Sequence, residues 1–324
     1  ELMFLMAHDT DPFNRWDAAQ TLAQRTLLKL VADDQSGRQP SVSGGFIEAF
    51  HKALSDAKAD KALLAEVLTL PSEATLGDQL EQVDVEAVHG AREWLKTHLA
   101  STLRDVFLGL YQANASTGQY GIQPASIARR GLRNLVLNYL MQLDDPAIRA
   151  LCMRQFETAD NMTDRMAALA ALVNTDTPER EQALTVFESQ WRDDPLVMDK
   201  WFSVQALCKL PGTLQKVESL MQHPAFSLRN PNRVRSLIGV FCSANLIGFH
   251  AADGAGYRFL ADQVLRLDGF NPQVAARMLR LMTRWRRYDA NRQQLMQGQF
   301  ERVLAQPGIS RDLFEIASKS LSRE

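Results

Sequence analysis

The chain has 324 residues, 46% of them hydrophobic and 23% charged, with a net charge of −2. That balance fits a globular protein and excludes a disordered one. It exerts no overall pull toward nucleic acid or a membrane surface, and no apolar run approaches the ~20 residues of a membrane span.

Taken in chain order, apolar residues recur at helical spacing almost throughout. The opening Glu1-Leu2-Met3 lacks an initiator methionine, as expected of a piece of a longer polypeptide or a processed product. Helices are expected over 12–32, 46–57, 60–70 and 85–113, with a loop by composition at 33–45 and a glycine-containing break at 114–123. Further helices are expected over 124–143, 146–158, 161–174, 178–193, 195–209, 211–222, 231–245, 254–267, 272–288, 289–306 and 310–322. No segment shows the period-2 alternation of a strand.

Five of these stretches open on an Asx-Pro pair: Asp11-Pro12, Asp145-Pro146, Asp194-Pro195, Asn230-Pro231 and Asn271-Pro272. An Asx side chain caps the free N–H groups of a helix start. Proline suits the first helical position, where its missing N–H costs nothing. The last four pairs lie 49, 36 and 41 residues apart. Repeats of about 40–47 residues mark HEAT and armadillo arrays. The expected fold is therefore all-α, a superhelical solenoid of antiparallel helix pairs with about 14–16 helices. Residues 1–324 read as one helical domain, less regular over 1–123 and more regular over 124–324.

The residues that usually announce an active site are missing. The six histidines form no His-x-x-x-His pattern. His89 and Glu93 share a helix face, but a zinc site needs at least three protein ligands. There is no Gly-x-Ser-x-Gly, Walker loop or dinucleotide fingerprint. Cys152, Cys208 and Cys242 are odd in number and sit beside apolar residues, as reduced buried thiols do. With no basic-then-apolar leader, these features predict a cytoplasmic protein with no membrane partner.

Charge is unevenly placed. Between Arg229 and Arg292 there are eleven arginines, four aspartates, no glutamate and no lysine. That window carries +7 and the remainder −9. A guanidinium binds carboxylate or phosphate through two parallel hydrogen bonds and tolerates desolvation better than an ammonium. At about 100° per residue, Arg277, Arg280, Arg284 and Arg287 form a ridge along one edge of the apolar stripe Val274, Met278, Leu281, Met282 and Trp285. On the helix from Pro231, Arg233 and Arg235 flank the buried Val234 on opposite sides. Two neighbouring repeats could aim these arginines into one groove. The competing use of each is a stem laid on the core and a head paired with an acid of the next helix. A nucleic-acid groove is disfavoured by the acidic remainder and by only five Trp and five Tyr to stack bases.

Several of these segments resemble a known family. Asn230-Pro-Asn-Arg-Val-Arg-Ser-Leu-Ile-Gly239, Asn161-Met-Thr-Asp164, Val197-Met-Asp-Lys-Trp-Phe202, Phe13-Asn-Arg-Trp-Asp-Ala-Ala-Gln20, Asn271-Pro-Gln-Val-Ala275 and Arg287-Tyr-Asp-Ala290 are similar to blocks of the helical C-terminal domain of bacterial aminopeptidase N. That family consists of zinc-dependent alanyl aminopeptidases. The resemblance implies a domain that caps the active site of a peptidase and lines its substrate cavity. It implies no catalytic residue and no cofactor bound by this chain, because the zinc ligands lie in preceding domains of the parent enzyme. The chain alone is then expected to be inactive. The implied partners are the catalytic and N-terminal domains of the same polypeptide and peptide substrates, and the chain in isolation is expected to self-associate. By position in the matching motifs, Arg235, Gln273 and Arg277, with Arg233 beside them, are the implied cavity residues. They would engage the backbone or carboxylate of a peptide beyond its first residue. The alternative is a HEAT-like scaffold that binds a protein or acidic peptide in an arginine-lined groove.

Overall fold

The computed structural model describes residues 1–56, 59–115, 118 and 120–322. All five Asx-Pro pairs cap helices. Asp11 accepts from Phe13 N at 2.8 Å, Asp145 from Ala147 N at 2.8 Å and Asp194 from Leu196 N at 2.9 Å. Asn230 accepts from Asn232 N at 2.9 Å and Asn271 from Val274 N at 3.2 Å. Each proline is the first residue of its helix.

The described residues form helices joined by loops and contain no strand; their sole bridge is the isolated pair Val83 and Tyr288. Helical segments outnumber the expected fourteen to sixteen for two reasons. Leu2–His8, Glu73–Asp78 and Leu246–Phe249 are too short to show a periodicity. The expected helix 85–113 is two, Val85–Thr102 and Arg104–Ala113. Residues 116, 117 and 119 of the expected break lie outside the described residues.

Two compact units are formed, Glu1–Gln79 with Glu86–Ala183, and Leu80–Val85 with Leu184–Glu324. In the first, Phe46, Phe50, Leu95, Leu99 and Phe107 are buried, and Tyr139 stacks on Phe107 with centroids 5.0 Å apart. The Tyr139 hydroxyl donates to Leu68 O at 2.7 Å, so the core carries no unsatisfied phenol there. In the second, Phe202, Phe241, Tyr257 and Phe300 are fully buried. Cys152, Cys208 and Cys242 are free and buried, and burial pushes the Cys152 thiol up to about 12.

The second unit also holds a buried polar group that the sequence does not advertise. His250 is 3% exposed; its Nδ1 lies 2.8 Å from the Tyr257 hydroxyl and its Nε2 3.0 Å from the Tyr288 hydroxyl. Arg292 Nε donates to His250 O at 2.7 Å. Burial first, and then the Arg292 charge, lowers the imidazole pKa to about 3. A neutral ring has one donor and one acceptor, which matches two hydroxyls. Below its ordinary pKa of 6.5 the unfolded chain holds a proton that the fold refuses. Stability from this site is thus complete above pH 6.5 and is lost as pH falls toward 3, at up to about 1.4 kcal/mol per pH unit. In urea unfolding at about pH 5, above most of the carboxylate range, His250→Gln is expected to remove nearly one proton from the uptake on unfolding. Equal pH slopes for the two proteins would show that His250 is charged in the fold.

Candidate functional site

The helix from Pro231 begins at the Asn230 cap, runs as Pro231–Val234, opens into a π turn over Arg235–Gly239 and closes as Val240–Ala244. Its first two arginines have opposite fates. Arg233 is 6% exposed and fully engaged. Its Nη1 donates to Pro195 O at 2.7 Å and to the Asp199 carboxylate, its Nε donates to Ala225 O at 2.8 Å, and its guanidinium lies 5.6 Å from the Phe202 ring centroid. Asp199 also accepts from Ser236 Oγ at 3.1 Å. Arg233 therefore fastens this helix to the helix Pro195–Ala206. Arg235, two residues on, is exposed and donates to the Asn232 side chain.

The π turn sits beside the helix Pro272–Leu279. A Cβ on Gly239 would be 3.8 Å from both Arg235 Cβ and Met278 Sδ. On that second helix Gln273 and Arg277 are exposed, and with Arg280, Asp312 and Glu315 they line an open pocket of about 340 Å³. Gln273 and Arg277 thus share one concavity. Arg235 stands on the adjoining helix near Met278 and does not line that pocket, and Arg233 is withdrawn into the packing.

The expected ridge of four arginines is broken. The α-helix stops at Leu279, followed by 3₁₀ turns at Arg280–Met282 and Trp285–Arg287, so the 100° projection does not hold beyond Leu279. On this path the buried Trp285 indole donates to Ser320 O at 3.2 Å. Arg286 caps the last helix through Ser320 O and Ser322 O, both at 3.0 Å, and Arg287 donates to Leu80 O. Arg292 is buried against His250 O and Asp289, and Arg258 donates to Asp253 O. Several of the local positive charges are therefore structural. The guanidinium groups of Arg277 and Arg280, both lining the pocket, have no hydrogen-bond partner among the described residues.

One grouping of metal-type side chains exists among the described residues, in the first unit. Glu73 joins His89 and Glu93, their ligand atoms within 4.8 Å of one another. His89 Nδ1 is 2.9 Å from Glu73, and Glu93 is 3.6 Å from both Arg92 Nη1 and Lys96 Nζ. Two cations already lie against Glu93 and Glu73 is engaged by His89, so this cluster is a poor fit for a divalent ion. It has the make-up of an ion-pair network that ties Glu73–Asp78 to Val85–Thr102.

A family model described as "Domain of unknown function (DUF3458_C) ARM repeats" matches residues 1–322. The chain belongs to this family. Its members' ARM repeats accord with the all-α architecture and with the spacing of the Asx-Pro starts. Among characterised relatives, aminopeptidase N of Escherichia coli (strain K12) is 40% identical over 322 residues, covering 99% of this chain and 37% of that protein. Aminopeptidase N of Caulobacter vibrioides is 40% identical over 319 residues, covering 98% and 36%. The crystal structure of Legionella pneumophila aminopeptidase A in complex with aspartic acid superposes with a TM-score of 0.89 at 32% identity, covering 99% of this chain and 38% of that one. This ARM-repeat domain spans little more than a third of the length of these relatives. Among the described residues, no helix is long and apolar enough to cross a membrane.

Proposed function

We propose that this ARM-repeat domain is the accessory C-terminal domain of a zinc aminopeptidase, and that it walls the substrate cavity without supplying a catalytic residue. Arg235, Gln273 and Arg277 would engage the backbone or carboxylate of a peptide past its first residue. The observation that carries this is the exposure of Gln273 and Arg277 in one pocket, in a chain similar along its length to aminopeptidase N. Zinc chemistry, which would activate the attacking water, belongs to parts of such an enzyme outside this chain. Here the contribution is positioning: a guanidinium held beside the reaction zone orients the peptide and adds binding that a single-residue substrate cannot use. Exposed Phe4 and Phe13 in the first unit, and Leu196 in the second, at 66%, 65% and 69%, support burial of these faces against other domains or a second copy.

The test uses the intact enzyme. Arg277→Ala is expected to raise KM for tri- and tetrapeptides about tenfold, the worth of one exposed charge-assisted hydrogen bond. For an alanyl chromogenic amide the change should be under about twofold. Equal effects on both substrate classes would make Arg277 a structural residue and defeat this reading.

A further inference from the structure

The pocket that holds Gln273 and Arg277 continues into a second, larger one of about 740 Å³, with which it shares Arg280, Glu315 and Ile316. The second pocket adds Arg286, Lys319 and Ser320 to its wall. Arg286 is fixed there by its hydrogen bonds to Ser320 O and Ser322 O and by its position 4.3 Å over the Trp285 ring. Lys319 donates to Glu315 at 2.6 Å. Lys319 first, and then the charges of Arg311 and Arg280, holds the Glu315 carboxyl below its ordinary range, so Glu315 stays ionised. Ser320 is 7% exposed, and its Oγ has no hydrogen-bond partner among the described residues. Across the joined groove Arg277, Arg280, Arg286 and Lys319 face two carboxylates, Asp312 and Glu315, which leaves two positive charges in excess.

We infer that the Arg280–Lys319 end of this groove is an anion subsite that takes a carboxylate of a peptide whose preceding residues lie along Gln273 and Arg277. The inference rests on the peptide reading for its ligand. Arg280 is the hinge of the argument because it lines both pockets, exposed and without a hydrogen-bond partner of its own among the described residues. Its guanidinium offers the two-pronged geometry that a carboxylate accepts. Lys319 completes the site by turning from Glu315 toward the incoming anion. Arg277 and Arg280 are three residues apart, about 4.5 Å at a helical rise of 1.5 Å per residue. An extended peptide covers that span in fewer than two residues, at about 3.3 Å each. The acidic group therefore sits one or two residues beyond the residue held by Arg277. It can be an acidic side chain or the terminal carboxylate, since both present the same two oxygens.

Ile316 lines both pockets, so its methyl group reports on either. The test is a methyl-NMR titration of the full chain at about physiological ionic strength, with the signal assigned by Ile316→Val. Three peptides are compared: Ala-Ala-Ala-Glu-Ala amide, Ala-Ala-Ala-Gln-Ala amide, and the latter with a free C-terminus. The Glu peptide, the free-acid peptide or both should bind at least fivefold tighter than the neutral one, and which of them gains identifies the source of the carboxylate. Arg280→Gln should erase that preference, whereas Arg277→Gln should weaken all three peptides. Equal binding of all three would overturn the anion subsite and leave the peptide reading standing. No movement of Ile316 with any peptide would overturn both. A preference that survives Arg280→Gln would place the anion elsewhere and also refute the inference.

Discussion

Gly256→Ala is expected to destabilise the second unit by about 3 kcal/mol or more, the upper end for overpacking. A Cβ on Gly256 would lie 2.2 Å from Phe249 O and 2.9 Å from Phe249 C and Cα. These are backbone atoms of the preceding short helix, and they cannot rotate aside as a side chain can. The close approach also sets up the polar core, because Phe249 precedes His250 and Gly256 precedes Tyr257, whose hydroxyl is 2.8 Å from His250 Nδ1. Separating the two segments would break that hydrogen bond as well. Gly298→Ala is the matched control: this glycine also lies inside a helix, Ala290–Leu304, and its Cβ would meet nothing within 4 Å. There alanine is expected to stabilise by about 0.5–1 kcal/mol through helix propensity. Thermal and urea unfolding of the two variants should therefore move in opposite directions. A Gly256→Ala protein as stable as its parent would mean that the two helices can part without cost.

The second large effect is expected at Arg233 and Asp199. Arg233→Ala should cost about 3–5 kcal/mol, because it strands a carboxylate whose side chain is 19% exposed. Asp199 would keep only the Ser236 hydroxyl at 3.1 Å, and Pro195 O and Ala225 O would both lose a donor. Arg233→Lys should recover part of the loss, since one ammonium cannot reach an aspartate and two carbonyls in the fork geometry of a guanidinium. Arg235→Ala, two residues away on an exposed face, should change stability by no more than about 0.5 kcal/mol. Urea unfolding of the three variants separates an arginine that holds the fold from one available to a ligand. A loss below about 1 kcal/mol for Arg233→Ala would refute the structural assignment.

The contrast at Arg233 and Arg235 shows where sequence reasoning loses its hold. Angular placement put both residues on the flanks of Val234, and both flanks looked equivalent. What separates them is the position of Asp199, Pro195 and Ala225, and these are fixed by how the helix Pro195–Ala206 packs against the helix from Pro231. The ridge of Arg277, Arg280, Arg284 and Arg287 failed for a related reason. Its projection assumed an unbroken helix, but the chain leaves helical geometry after Leu279 and the Trp285 indole reaches the last helix. The third member of the Glu73, His89 and Glu93 cluster was hidden because a helix of only six residues, Glu73–Asp78, has too few apolar positions to register.

Local chemistry did determine much on its own. The five Asx-Pro starts, the helical periodicity and the arginine-rich window are properties of neighbouring residues; all five starts open helices at the expected residues, and most of the expected helices are present. Capping and helix initiation act over three or four residues, so a linear reading can see them. Only the tertiary structure decided which arginines are committed to carbonyls and carboxylates and which face a pocket. It also decided that a π turn lies at Arg235, that His250 is held neutral between two tyrosine hydroxyls, and that Asp312, Glu315 and Lys319 stand opposite Arg280. The arginine commitments, the His250–Tyr288 contact and the groove at Arg280 depend on partners tens of residues away, brought together by packing against a shared core rather than by any periodicity in the chain.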